Sequence, residues 1–312
     1  MTQYRELKKT LYGLLVIVLL ASGASAAVAL LVGVIFALAF GNPFLARTRV
    51  LSQKLLQISV VGLGAGMDLL VVGKTGLSGV GYTAIMIVLT MGFGTLLGRI
   101  LKTQRDTSLL ISVGTAICGG SAIAAAAAAI KAKSEEVSVA LAIVFILNAL
   151  ALFIFPPIGH ALDFTQMQFG FWSALAVHDT SSVVGTAMQY GPEALLTGTT
   201  VKLARALWIV PLTIFISSTR DSKAPVKIPW FILGFIFMAA LFTWMPGIQF
   251  VGNNIAAISR TLLVLTLFFI GSNLSRDTIK SVGIKPFLQG VVLWICVSVS
   301  TAIAIKTGFL KV

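Results

Sequence analysis

Long apolar runs alternate with short polar stretches along this chain almost from end to end. The runs lie near 11–24, 26–41, 54–72, 79–98, 107–130, 137–157, 167–190, 195–217, 229–245, 256–275 and 286–305. A membrane-spanning helix needs about 20 mostly apolar residues, so the pattern predicts an all-α polytopic membrane protein with about eleven transmembrane helices. The first two runs are short and joined by a tight Gly/Ser/Ala turn. Composition sharpens this picture. Only 11% of residues are Asp, Glu, Lys or Arg and 57% are hydrophobic, with a mean hydropathy of +1.00. A soluble domain carries about 25% charged residues. With 312 residues, the spans leave no room for a sizeable soluble domain, and residues 1–312 read as one membrane domain with approximate repeats over 26–157 and 166–306.

The net charge is +13, from 23 basic and 10 acidic residues. The basic residues fall in short loops between apolar runs, as membrane orientation requires, so nucleic acid is not an expected partner. With the N-terminus cytoplasmic, the inside loops carry Arg47, Arg49 and Lys54; Arg99, Lys102 and Arg105; Arg220, Lys223 and Lys227; and Arg276, Lys280 and Lys285. The outside loops carry Lys74, Glu193 and the uncharged stretch 246–258. One outside loop is awkward: it holds Lys131 and Lys133, followed by Glu135 and Glu136. His160 and Asp163 fall in a sparsely charged inside loop. Eleven crossings place the C-terminus outside. The start of the chain allows two readings. Arg5, Lys8 and Lys9 before the run 11–20, then Ala24-Ser25-Ala26, fit a signal peptide; they equally fit a first helix, which we favour. Cys118 and Cys296 both sit in apolar segments, which implies no disulfide framework and no metal site.

Two segments contain helix breakers. In 107–130, Gly119-Gly120 sits near mid-span and Ser121 opens an alanine run. Gly disfavours a helix interior by about 1 kcal/mol relative to Ala. A half-helix starting at Ser121 would aim free N–H groups into the membrane, an anion site; the alternative is a continuous helix with a small-residue packing face. In 167–190, His178-Asp179-Thr180-Ser181-Ser182 places five polar residues between apolar flanks. Asp179, Thr180 or Ser181 could cap a second half-helix; the alternative is an aqueous loop between two short pieces. Intramembrane ionisable residues mark function by default, which singles out His178 and Asp179. Lys202 and Arg205, three residues apart on one helix face, face an anionic substrate, a carboxylate or the interface. Asn148 lines the same cavity or acts as interhelical glue. Asp68 is a cation ligand or a helix-end residue. A fainter echo links Gly64–Gly76 to Gly271–Gly283, which end the third and tenth segments and so run oppositely through the membrane, the signature of inverted repeats.

The chain lacks a His-Glu-x-x-His, a Cys-x-x-Cys and a Walker loop, so no enzyme is expected, no cofactor, and transport that is secondary or passive. Ile117-Cys118-Gly119-Gly120-Ser121-Ala122-Ile123-Ala124, Ile130-Lys131-Ala132-Lys133 with Glu135-Glu136, Val177-His178-Asp179, and Lys202-Leu203-Ala204-Arg205-Ala206-Leu207 together resemble a family named for sulfate export. The resemblance runs from about residue 25 to the end. It implies a distant place in the superfamily of cation–proton antiporters and bile-acid–sodium symporters, with inverted five-helix repeats, a panel or dimer domain, a core domain of crossing broken helices, and a homodimer in the bacterial inner membrane. Two departures stand out. The family often has Glu after the His, where this chain has Asp179, and the alanine run lacks a proline near Ala128. The echo also lies seven segments apart, whereas five-helix repeats would place it five apart.

The expected function is therefore secondary active transport of a small sulfur-containing or other inorganic oxyanion by alternating access. Cys118, Gly119, Gly120, Ser121, Asn148, Asp179, Thr180, Ser181, Ser182, Lys202 and Arg205 are the candidate binding residues. His178, with Asp179, is the candidate proton-coupling group, with H+ or Na+ as the coupling ion. The alternative is a sodium/proton antiporter or other cation carrier using Asp179 and Asp68. A Ser-His-Asp enzyme built on Ser181 is disfavoured, because neighbours in one short segment do not supply triad geometry.

Overall fold

The computed structural model describes residues 2–219, 230–274 and 282–310. Regular structure among them is helical throughout: α1 (Thr2–Ala21), α2 (Ala26–Phe40), α3 (Leu45–Gly64), α4 (Leu69–Ile100), α5 (Arg105–Ala116), α6 (Gly120–Ile130), α7 (Ser134–Ala161), α8 (Gln166–Ala176), α9 (Thr180–Tyr190), α10 (Pro192–Ala206), α11 (Ile209–Thr219), α12 (Trp230–Trp244), a 3₁₀ turn (Pro246–Ile248), α13 (Gln249–Ser272) and α14 (Ile284–Lys306). Five stretches are long and apolar enough to cross a membrane singly: Val80–Ile100, Ser134–Ala161, Pro192–Ser218, Gln249–Ser272 and Ile284–Lys306. The bent pair Leu45–Gly64 and Leu69–Gly76, at 113°, is a sixth candidate. Large apolar side chains stand on the surface, Val88 at 71% and Phe237 at 64% exposure. Lipid rather than water suits such a surface.

The third expected segment, 54–72, is not one straight helix. It bends after Gly64, and Asp68 restarts the chain by accepting the Leu70 and Val71 N–H groups on Oδ1 at 2.7 and 3.3 Å. Asp68 is thus a helix cap. With that cap and no proline following, α4 begins at Leu69 and carries Lys74, which the hydropathy pattern put in a loop. Arg47, Arg49 and Lys54 likewise lie exposed on the first turns of α3. Arg220, Lys223, Lys227, Arg276, Lys280, Val312 and most of the second copy of the Gly-rich echo lie outside the described residues.

The chain forms two compact units, Met1–Val72 with Trp230–Arg276, and Gly73–Pro229 with Asp277–Val312. Each takes segments from both of the stretches 26–157 and 166–306. In the first unit α13 packs on α2 and α3. A Cβ on Gly33 would sit 2.3 Å from Phe268 O, and one on Gly271 2.3 Å from Leu30 O, so these helices touch backbone to backbone. Tyr12 of α1 is buried against Phe36, Phe44 and Phe268 at ring distances of 5.2, 5.6 and 5.1 Å. Its hydroxyl meets Ser272 Oγ at 2.8 Å.

The second unit is organised by α7 and α14, which run side by side in the same direction. Gly290 packs on Ile143 and Leu147, Trp294 stacks on Phe155 at 5.9 Å, and Lys306 Nζ donates to Leu162 O at 2.5 Å. Helix α5 follows the same direction. Gly98 packs on Ser108 beside Gln289, and Gly94 on Ser112 beside Leu293. Helix α6 then returns against it. Gly120 packs on Leu141 and Phe145, the Ile123 side chain folds back onto Gly114, and Ile130 leads through a short turn to the start of α7. The segment 107–130 is therefore a helical hairpin.

The segment 167–190 is a second hairpin, entering from the opposite end. Tyr190 Oη donates to Phe164 O at 2.7 Å, its ring stacks on Phe169 at 3.8 Å, and Glu193 N–H donates to Gln166 Oε1 at 3.0 Å. A single helix over these 24 steps would hold residues 166 and 190 about 36 Å apart. Each hairpin returns to the end of the unit from which it starts, where the hydropathy pattern predicts one continuous helix. Each arm is about 17 Å long, roughly half the hydrocarbon thickness, and the break between arms turns the chain back. Arg99, Lys102, Arg105, Lys131, Lys133 and Lys285 consequently share one end of this unit, while His160, Asp163, Glu193 and Lys306 occupy the other.

Candidate functional site

The two hairpin tips, residues 117–119 and 177–179, meet inside the second unit. Gly119 has φ 64° and ψ −123°, a conformation essentially reserved for glycine. A Cβ there would lie 3.2 Å from Val144 and 3.4 Å from Asp179 Cα and Cβ. Non-helical backbone at membrane depth persists only where protein or a polar cavity surrounds it. Here Ile117, Cys118, Val177 and His178 are all buried.

Such tips expose helix ends whose last carbonyls need donors. For α5 the account closes completely. Val113 O accepts from Ile117 N–H at 3.1 Å and Gly114 O from Gly119 N–H at 2.9 Å. Thr115 O accepts from Arg205 Nη2 at 3.2 Å and Ala116 O from Arg205 Nε at 2.8 Å. For α8, Ser173 O accepts from Val177 N–H at 2.9 Å. Ala174 O and Leu175 O accept from Arg205 Nη1 at 3.1 and 2.5 Å. Lys202 Nζ donates to Ala174 O at 3.3 Å and Val177 O at 2.7 Å. One arginine on α10 thus clasps both hairpins, and its neighbour one turn away reinforces the second. Both side chains are fully buried. Their charges oppose the negative ends of two helix dipoles, which offsets the cost of burying them. Most of the donors of Lys202 and Arg205, expected from sequence to meet an anion, are aimed at carbonyls. Neither cation forms a salt bridge with Asp179.

The opposite helix ends carry the polar residues. Asp179 caps α9, accepting the Ser181 N–H at 3.0 Å and the Ser181 hydroxyl. Asn148 of α7 supports the second tip: its Oδ1 accepts the His178 and Asp179 N–H groups at 3.1 and 3.3 Å. Thr180, Ser181 and Ser182 form the buried first turn of α9. Cys118 is buried and unpaired, within Coulombic range of Lys202, Asp179 and Arg205. Gly120 is half-buried at the start of α6. Ser121 departs from the set: it is exposed on α6, while the other candidates cluster around the tips.

Four buried polar atoms around the tips have no hydrogen-bond partner among the described residues: His178 Nδ1 and Nε2, Asn148 Nδ2 and Thr115 Oγ1. A buried polar atom without a partner costs about 1–3 kcal/mol, so a cluster of them marks where a solute or water belongs. Thr115, and the carbonyls of Ala116, Ala174, Leu175 and Val177, were not identified from sequence. Their only signal is position, directly before each break. No group of three or more His, Cys, Asp or Glu residues suited to a metal ion occurs among the described residues.

Comparison with known proteins places this architecture in a lineage. The chain is 55% identical over 293 residues to a UPF0324 membrane protein of Bdellovibrio bacteriovorus, covering 92% of this chain and 90% of that one. It is 52% identical over 279 residues to a UPF0324 membrane protein of Bacteroides thetaiotaomicron, covering 88% and 84%. A UPF0324 membrane protein of Geobacter sulfurreducens is 46% identical over 278 residues, covering 89% and 90%. No solved structure matches the chain. The family described as Conserved hypothetical protein 698 matches residues 11–290, and with these relatives it establishes that the chain is a multi-pass membrane protein belonging to that family.

Proposed function

We propose that this protein is a secondary transporter of a small oxyanion in the bacterial inner membrane. The observation that carries the reading is the meeting of two oppositely inserted hairpins at a buried, charged and incompletely hydrogen-bonded cluster. Helices interrupted at the midplane, with dipole ends and unpartnered polar groups turned inward, are the arrangement by which secondary transporters bind solutes. Hairpins entering from opposite ends supply two doors to one site, as alternating access requires. Two buried cations against one carboxylate favour an anion. His178, unpartnered beside Asp179, is the proton-linked group in this reading. The basic end of the second unit is cytoplasmic by the positive-inside rule. The eleven apolar segments then comprise nine crossings and two re-entrant hairpins, N-terminus inside and C-terminus outside. The first unit takes the part of the panel domain and the second that of the core.

The cation-carrier alternative is less favoured by one observation: the carbonyls a coupling cation would use are already bound by Lys202 and Arg205. Purified protein in proteoliposomes separates the two readings. Sulfate or sulfite flux is expected, insensitive to replacing sodium by potassium. Sodium or proton flux without any anion dependence would sink the oxyanion reading.

A further inference from the structure

We infer that the solute carried at this site is a singly charged, protonated oxyanion rather than a dianion. This inference rests on the transporter reading and narrows it. The argument is a charge count at the hairpin tips. Each helix end carries about half an elementary charge. The C-terminal ends of α5 and α8 are negative, the N-terminal ends of α6 and α9 positive, and the four cancel. With the His178 imidazole unprotonated while the solute is bound, what remains is Lys202 and Arg205 against Asp179, a surplus of one positive charge. The charged and titratable side chains facing the tips are Cys118 from the first hairpin, His178 and Asp179 from the second, and Lys202 and Arg205 from α10. From α7 only the neutral Asn148 enters. Charge buried at membrane depth is costly in either sign. A monoanion brings the loaded site to neutrality, whereas a dianion leaves it one negative charge in excess.

The unpartnered atoms point to the same chemistry. Asn148 Nδ2 offers two N–H donors and Thr115 Oγ1 one O–H, while a neutral His178 offers one donor and one acceptor. An oxyanion retaining one proton satisfies both kinds: its oxygens accept from Asn148 Nδ2 and Thr115 Oγ1, and its O–H donates to the unprotonated nitrogen of the imidazole. Lys202 and Arg205, held by carbonyls, contribute field rather than contacts.

The test measures thermal stabilisation of the purified full-length protein by sulfite, sulfate and nitrate, read as apparent affinity. Sulfite changes from hydrogensulfite to the dianion near neutral pH. Sulfate stays a dianion, and nitrate keeps a single charge throughout. Sulfite affinity is expected to rise at least tenfold as the pH falls through its second ionisation, with nitrate changing less and sulfate at least tenfold weaker than hydrogensulfite. Asp179→Asn, which keeps a capping side chain and adds one positive charge to the count, is expected to raise sulfate affinity relative to sulfite. Sulfate binding as tightly as hydrogensulfite, or a sulfite profile no steeper than that of nitrate, overturns the inference while leaving anion transport standing. Binding of none of the three anions, together with absent anion flux, overturns the transporter reading itself.

Discussion

Arg205 shows how much a single side chain can carry in a membrane. Its guanidinium holds four carbonyls on two different hairpins, a task that depends on the planar fork as much as on the charge. Lysine in its place keeps the charge but cannot reach both tips, so at least two buried carbonyls lose their donors. At about 1–3 kcal/mol per unsatisfied group, Arg205→Lys is expected to destabilise the protein by about 3 kcal/mol, seen as a lowered unfolding temperature in detergent. Unchanged stability would mean that the carbonyls find other donors. The glycine pair divides in the same way. Gly119 adopts positive φ against Asp179, whereas a Cβ on Gly120 meets nothing closer than 3.5 Å. Gly119→Ala should therefore cost about 1–3 kcal/mol from backbone strain, with Gly120→Ala near neutral. Equal effects in a paired melting experiment would contradict the assigned tip geometry.

At the level of elements, the hairpin α8–α9 is seated on α10 by close backbone contact. A Cβ on Gly170 would stand 2.6 Å from Ala194 O and 3.0 Å from Gly198 N. Backbone cannot swing aside, so Gly170→Ala should push α8 from α10 and cost about 1–3 kcal/mol. Gly73 of α4 meets nothing within 4 Å, and Gly73→Ala should stabilise by up to about 1 kcal/mol through helix propensity. If both substitutions shift the melting temperature alike, the tight α8–α10 seat is wrong. Much of this element structure was legible in the sequence. Apolar runs located the helices, Gly119-Gly120 located one break and His178-Asp179 the other. What hydropathy could not convey was direction. Twenty-four apolar residues with a central break serve equally as one crossing or as two half-length arms folded together, because hydropathy measures length and not heading. Nor could it assign partners to Lys202 and Arg205, since their acceptors are backbone carbonyls, which every residue carries. Asp179 as a cap was legible because its side chain bonds only two residues away.

For the molecule as a whole, one sequence signal had already pointed toward the hairpins. Eleven crossings put Lys131 and Lys133 on the side poor in basic residues, against the positive-inside rule. In the second unit these lysines share an end with Arg99, Lys102, Arg105 and Lys285, and the conflict disappears. Turning α5–α6 back reverses α7, and turning α8–α9 back reverses the chain once more. The termini keep the orientation that eleven crossings give, so a reporter fused after Val312 cannot distinguish the two topologies. The loops between the hairpins can. Cysteines introduced singly at Lys133 and Asp163, in a background with Cys296→Ser, are to be treated with a membrane-impermeant maleimide in intact and opened cells. Nine crossings with two re-entrant hairpins predict that Lys133→Cys labels only once the cytoplasm is opened, while Asp163→Cys labels from the periplasm. The opposite pattern at both sites would restore eleven crossings and remove the geometry on which two doors to one site depend.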